Sequence, residues 1–249
     1  MITAIHRNGQ TFTTDLSKGT DISIAVGDAR CYYAPPVNAV PVEIGSFIGS
    51  VKMGGSVNYY QLTSCPHGQG THTECVGHIT EQNQSINKVN KEFHFVGMLV
   101  SASLTEKENG DLVVMKEDIE AAFLKKTIDV DACIVRTVPN ALTKIGKDYS
   151  GANPPYLDVG VIQFLKNHGI RHLMVDLPSV DREVDEGALI CHRTFWDSEV
   201  NQNSKNTITE LIYVPEEITD GLYLVNLQVS PLEMDAAPSR PMLYPLNKA

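Results

Sequence analysis

Apolar residues along this chain recur mostly at alternate positions or in short unbroken runs, the mark of strands, and take up helical spacing in two segments. In "AIHRNGQTFTTDL", Asn8-Gly9 stands between two strand-prone stretches, and because both residues tolerate positive φ this predicts a β-hairpin. Residues 20–55 hold Gly, Pro, Val and Ile without helical periodicity, which predicts short strands and surface loops. "SVNYYQLTS" and "EFHFVGMLVSASL" read as strands, and "KENGD", Lys107 to Asp111, as a turn. From Glu117 to Lys126 acidic residues come first and basic ones last, with Ile119, Ala122 and Phe123 on one face, which predicts a helix. "ACIVRTV" then reads as a central strand. Leu157, Val161, Phe164 and Leu165 form one face of a second helix stopped at Gly169, and "IRHLMVD" is the next buried strand. That order is a βαβ crossover, whereas "NTITELIYV" and "LYLVNLQVS" follow as strands with no helix between them. The expected fold class is mixed α/β, one strand-rich domain over residues 1–249 with a few helices packed outside.

Composition narrows the functions open to such a fold. The chain has 249 residues, 42% of them hydrophobic and 20% charged, enough for a sizeable core. Its formal charge of −10 repels phosphate backbones and anionic lipid surfaces, which argues against nucleic-acid and membrane partners. "MITAIHRNGQ" shows neither a basic segment before an apolar core nor a small-residue cleavage site, and the apolar runs are too short to cross a bilayer, so a cytoplasmic location is expected. The five cysteines form no C-x-x-C pair, and most are expected to be reduced and buried as small hydrophobes.

Candidate chemistry concentrates in "CPHGQGTHTECVGH", Cys65 to His78, which holds three of the eight histidines. On an extended segment His72 and Glu74 leave the same face, so an imidazole and a carboxylate stand side by side. His67 reaches that face if the chain bends at Gly68 and Gly70, and Gly77 offers a similar bend before His78. Such nitrogen and oxygen donors suit Zn²⁺, Mn²⁺ or Fe²⁺, and a site short of thiolates points to catalysis more than to a closed structural role. Taken alone, the stretch also reads as an exposed polar loop with scattered histidines. Cys75 reads as a core thiol in preference to a ligand or nucleophile, since no Lys or Arg lies nearby to depress its pKa.

In this register the chain resembles the cyclase-like metal-dependent hydrolases, a family that includes bacterial kynurenine formamidase (arylformamidase) and isatin hydrolase. Their signature is His-x-Gly-Thr-His-x-Asp-x-Pro-x-His, and "GTHTECVGH" supplies Gly70, Thr71, His72, Glu74 and His78. The resemblance continues in "DLS" at Asp15, "IVRT" at Ile134, "GIRHLMVDLPSVD" from Gly169, His192, "TEL" around Glu210 and "PSRPMLYPL" near the end. It departs from the pattern where Glu74 stands for Asp, where Cys75-Val76 stands for Ala-Pro, and where one added residue separates His67 from Gly70.

The resemblance implies a swivelling β/β/α-type domain with a curled, barrel-like mixed sheet and outer helices, assembled as a homodimer or homotetramer. By motif, His67, His72 and Glu74 would bind one divalent metal, Zn or Mn, with His192 and Glu210 completing a second or shared position. His78 would be the catalytic acid/base. Without the resemblance, His192 in "LICHRTFW" is an ordinary strand-end histidine and Glu210 an outward carboxylate on an alternating strand. The implied activity is hydrolysis of a small amide, formamide or lactam by metal-activated water, with specificity in loops such as residues 31–55 and 138–156. Two alternatives stand beside it. One is a polyketide-type cyclase or other non-hydrolytic metal enzyme, and the other is a catalytically degenerate member acting as a binding protein.

Overall fold

The hairpin expected at Asn8-Gly9 is present in the computed structural model, which describes residues 1–82 and 84–249. Strands β1 (Ile2–Arg7) and β2 (Gln10–Asp15) pair antiparallel, and φ is 48° at Asn8 and 71° at Gly9, the left-handed pair a tight two-residue turn requires. The chain continues through β3 (His72–Glu74), β4 (His94–Glu106), α1 (Lys116–Phe123), β5 (Ala132–Val138), α2 (Val159–Asn167) and β6 (His172–Val175). It ends with α3 (Ile190–Trp196), β7 (Thr207–Glu210), β8 (Gly221–Val229) and β9 (Ala236–Pro245).

Seven strands in the order β5-β6-β7-β3-β9-β8-β4 form one mixed sheet, and β4 pairs back onto β5 in parallel, closing a barrel. The β5–α2–β6 unit is the expected crossover, with β5 and β6 parallel neighbours in the register Ala132 to His172. The curled mixed sheet with outer helices that the family resemblance implies is therefore borne out.

Alternation along the strands sorts side chains between two cores. Phe95, Leu99, Ile134, Met174, Val225 and Leu227 fill the barrel. Val96, Val100, Cys133, Val135 and Leu173 face outward and pack against Val161 and Leu165 of α2 and Phe195 and Trp196 of α3. Ile134 is fully buried in the inner core. Ile134→Ala is expected to cost about 2–5 kcal/mol, read as a lower urea midpoint at unchanged denaturant slope. No helix among the described residues is long and apolar enough to cross a membrane.

Five features differ from the sequence reading. Helix α2 begins at Val159, so Leu157 lies outside it, extended and paired in parallel with Val114. Helix α1 stops at Phe123, short of Lys126, because the amides of Lys125 and Lys126 bond back only three residues, to Ala122 and Phe123, tightening the last turn. Strand β7 covers only Thr207–Glu210 of "NTITELIYV", since Leu211 turns to a φ of 54°. Residues 190–196 form helix α3, so His192 is not at a strand end. Strand β9 runs through Pro238 and Pro241, which hide it in sequence. Their carbonyls still accept from Ser230 and Ile22, at 2.9 and 3.1 Å. The excursion from Asn38 to Thr63, whose ends pair as short strands, leaves Val40, Ile44, Val51, Met53, Tyr59 and Leu62 exposed.

Candidate metal centre

Strand β3 is three residues long, fully buried, and clamped between β7 and β9. Its register sets His72 opposite Glu210 and Glu74 opposite Ile208, so the alternation that sends Ile208 to the outer core also sends His72, Glu74 and Glu210 outward. Thr73 takes the inner face, where its hydroxyl meets those of Thr209 and Ser239 at 2.8 Å. The approach to β3 needs glycine at position 70, where φ is +78° and a Cβ would lie 2.6 Å from the Ala25 carbonyl. A short 3₁₀ turn, Pro66–Gly68, absorbs the added residue and brings His67 back to the cluster. His78 sits on a second such turn, Val76–Ile79, and His192 descends from α3.

All six candidate residues converge. The two Glu74 carboxylate oxygens face opposite ways, Oε1 lying 2.8 Å from His192 Nε2 and Oε2 3.1 Å from His67 Nδ1 and 3.8 Å from His78 Nε2. Glu210 Oε2 is 3.4 Å from His72 Nε2, and Glu210 Oε1 is 3.8 Å from His192 Nε2. Two sets bring one donor atom per residue within 4.8 Å of one another: His67, Glu74 and His78, and His72, Glu74 and Glu210. Glu74 belongs to both, as a bridging carboxylate would.

The protonation pattern shows what this cluster lacks. His72 Nδ1 is 3.1 Å from the Gly70 carbonyl, which can only accept, so the ring proton sits there and Nε2 presents a lone pair. That Nε2 is buried without a hydrogen-bond partner among the described residues, and the nearest charged group is the Glu210 carboxylate. Two electron-pair donors facing each other in a dry site call for a cation between them. Elsewhere protons supply the positive charge. Burial works against a charged His67, yet hydrogen bonds to Asp235 and Glu74 raise it to about 10. Burial likewise opposes a charged His192, but Glu74 and Asp181 hold it well above the ordinary histidine value. Glu74 pays a large desolvation cost and is still pulled well below its usual range by His78 and His192. Imidazoles and carboxylates in this proportion, with an orphaned lone pair among them, fit a divalent ion.

Sequence reasoning missed two carboxylates that position the imidazoles. Asp181 accepts from His192 Nδ1 at 2.6 Å and from the Cys191 and His192 amides at 2.7 and 3.1 Å, fixing the start of α3. Asp235 contacts His67 Nε2 at 2.7 Å and His78 Nδ1 at 3.3 Å, which draws its pKa down. Asp181 closes the family-like stretch "DLPSVD" and so carried a signal, whereas Asp235, in the loop before β9, carried none. Cys75 is the core thiol expected. It is buried, donates to the Gln84 carbonyl at 3.2 Å, and burial pushes it up to about 12.

A cavity of about 310 Å³ opens over the cluster, lined by His67, His78 and His192 together with Tyr32, Arg182 and Leu189. Tyr32 and Tyr33 both hold left-handed backbone, with φ of 52° and 53°, a strain that fixes where the Tyr32 ring lies. Arg182 is held by Asp111 at 2.9 Å, and Asn153, Asn109 and Tyr156 also bond that carboxylate. The Asn153 bond leads in lowering Asp111 to about 2, with Arg182 adding to it against burial. A carboxylate depressed in the folded state contributes stability above its unfolded pKa and loses it as pH falls through the folded value. Asp111→Asn is therefore expected to flatten the fall in melting temperature between about pH 4 and pH 2.

A closed mixed barrel with imidazoles and carboxylates gathered on its outer wall defines a class of α/β proteins built around a candidate metal centre. The chain belongs to the putative cyclase family, whose model matches residues 20–182. It is 25% identical over 193 residues to the kynurenine formamidase of Bacillus thuringiensis (strain Al Hakam), covering 77% of this chain and 82% of that one. It is 26% identical over 194 residues to that of Bacillus cytotoxicus, at the same coverage. The fold is similar to isatin hydrolase A from Ralstonia solanacearum, with a TM-score of 0.68 at 12% identity over 91% of each chain. It is similar also to a potential metal-dependent hydrolase with cyclase activity, with a TM-score of 0.64 at 17% identity over 91% of this chain and 97% of that one.

Proposed function

We propose that this protein is a metal-dependent amidohydrolase that opens a small amide, formamide or lactam. The observation that carries the reading is the buried His72 Nε2, without a hydrogen-bond partner among the described residues, facing Glu210 within a ring of three further imidazoles. The names of the relatives, kynurenine formamidase and isatin hydrolase, support C–N bond hydrolysis of an aryl amide or a lactam. His67, His72, Glu74, His192 and Glu210 would hold Zn²⁺ or Mn²⁺, with Glu74 shared between two positions. A divalent ion there supplies Lewis-acid chemistry, acidifying water and polarising a carbonyl. His78 would move the proton to the leaving nitrogen, Asp181 and Asp235 would hold His192, His67 and His78 in orientation, and Arg182 and Tyr32 would line the substrate side.

Elemental analysis of protein purified without chelator and reloaded with Zn²⁺ or Mn²⁺ is expected to find at least one ion per chain. No stoichiometric ion under either condition defeats the reading. Ligating imidazoles must be deprotonated, and, against burial, hydrogen bonds hold a proton on His67 up to about pH 10, so ion binding is expected to release protons and to weaken steadily as pH falls. Hydrolysis of N-formylkynurenine, other formanilides and cyclic lactams then identifies the substrate class, and a metal-loaded protein that turns over none of these is not an amidohydrolase. The partners that fit this reading are the small-molecule substrate and further copies of the chain. The exposed apolar excursion through Val40, Ile44, Met53 and Leu62 supports a homodimer or homotetramer, checked by light scattering on Ile44→Asp, which should shift the species to the monomer.

A further inference from the structure

His72 and Glu210 form the last rung of the β7–β3 ladder. One residue further on, Leu211 turns to a φ of 54° and its amide bonds the Leu177 carbonyl at 2.9 Å, so the backbone pairing stops there. The next rung is made by a side chain. The Thr71 hydroxyl donates to the Leu211 carbonyl and accepts from the Ile24 amide at 2.7 Å, while the Thr71 amide donates to the Ile24 carbonyl at 3.0 Å. Thr71 is 1% exposed and Ile24 and Leu211 are buried with it, so the hydroxyl satisfies two backbone groups that must find a partner within the protein.

Each of these bonds lies one peptide from a candidate ligand. Thr71 precedes His72, and Leu211 follows Glu210. The Ile24–Ala25 segment held by Thr71 also crowds Gly70, whose carbonyl lies 3.1 Å from His72 Nδ1. One hydroxyl therefore ties together the three segments around the point where His72 Nε2 and Glu210 Oε2 face each other at 3.4 Å. Thr73 provides the contrast on the same strand. It is as deeply buried, but its hydroxyl bonds only the Thr209 and Ser239 hydroxyls and holds no backbone group beside a ligand.

We propose that Thr71 is a positioning residue of the metal centre, its hydroxyl clasping the chain after Glu210 to the chain before His72 and so setting the spacing of these two donors for a divalent ion. The inference rests on the metal-dependent reading above. Donors held in place before the ion arrives bind it more tightly than donors that must be gathered on binding, and groups that orient ligands govern roughly 10- to 100-fold in affinity. Without the hydroxyl, the Ile24 amide and the Leu211 carbonyl lose their buried partner, and the strand ends beside both ligands are free to part.

Competition with a chromogenic chelator measures the Zn²⁺ affinity of the ion-free parent and its variants, with thermal melting of the same ion-free proteins followed alongside. Thr71→Val keeps the side chain's shape, removes both bonds, and is expected to bind Zn²⁺ about 10- to 100-fold more weakly. Thr71→Ser keeps the hydroxyl and should restore the parental affinity. Thr73→Val should lower the melting temperature and leave the affinity alone. If Thr71→Val does not fold, Thr71→Cys, which keeps a weak donor in the same place, should show an intermediate loss. Parental affinity in Thr71→Val, or in Thr71→Cys where only that variant folds, overturns the proposal. An equal loss in Thr73→Val also overturns it, since the effect is then one of general stability, as does a Thr71→Ser protein that fails to recover affinity. A parent chain that binds no Zn²⁺ is a different result: it defeats the metal-centre reading itself, and this inference with it.

Discussion

His72→Ala is expected to empty the metal centre and lower turnover by at least about 10³-fold, the scale set by several kcal/mol of Lewis-acid stabilisation. His72 is fully buried, its Nδ1 is committed to the Gly70 carbonyl, and its Nε2 has no hydrogen-bond partner among the described residues. That nitrogen is the one donor in the cluster whose present environment is unfavourable without a cation, so its removal should affect ion binding more than any hydrogen bond. Loss of folding is the competing explanation. Glu210→Gln answers it, since the isosteric change keeps the side chain's shape and an amide oxygen for the Val180 N–H, which Glu210 now accepts at 3.1 Å, while removing the charge that faces His72. Both variants should keep the circular dichroism of the parent and lose stoichiometric ion in elemental analysis. A folded His72→Ala protein that still binds one ion per chain with parental turnover shows that the ion is held without this wall of the barrel, and the assignment of His72 is wrong.

The sequence exposed the parts of this arrangement that depend on local pattern. The i, i+2 spacing of His72 and Glu74 needed only an extended backbone to put both on one face, and β3 is extended. Asn8-Gly9 and the β5–α2–β6 crossover were equally readable, because turn chemistry and apolar periodicity are local signals. The remaining features are set by register across distant strands. That Glu210 shares the face of His72 follows from the β7–β3 pairing across more than a hundred residues, and only the family-like order of motifs pointed to it. Helix α3 went unseen because "ICHRTFW" is short, rich in β-branched and aromatic residues, and begins at Leu189 with a φ of 46° in place of a recognisable cap. Asp235 was invisible for a simpler reason. Its role comes from a loop that returns beside the cluster just before β9, and no residue type or spacing announces such a return.

The largest effect expected from a residue that does not hold the ion is at His78, where alanine should lower turnover by roughly 10²- to 10⁴-fold with ion content unchanged. Its side chain is 30% exposed, whereas His72 is fully buried and His192 nearly so. Asp235 anchors its Nδ1 at 3.3 Å, and its Nε2 stands 3.8 Å from Glu74, too far for a hydrogen bond. One nitrogen is therefore fixed and the other is free to face the cavity, the disposition an acid/base requires. His67 lacks that freedom, with Glu74 on one nitrogen and Asp235 on the other. His67, Glu74 and His78 also lie close enough to share an ion, so geometry alone admits His78 as a ligand. The two roles separate when ion content and formanilide hydrolysis are measured on the same preparation. Ion retained with turnover reduced supports proton transfer. If His78→Ala sheds the ion as readily as His72→Ala, His78 is a ligand; if it keeps both ion and full turnover, the proton must travel through another group, and the assignment of His78 is wrong.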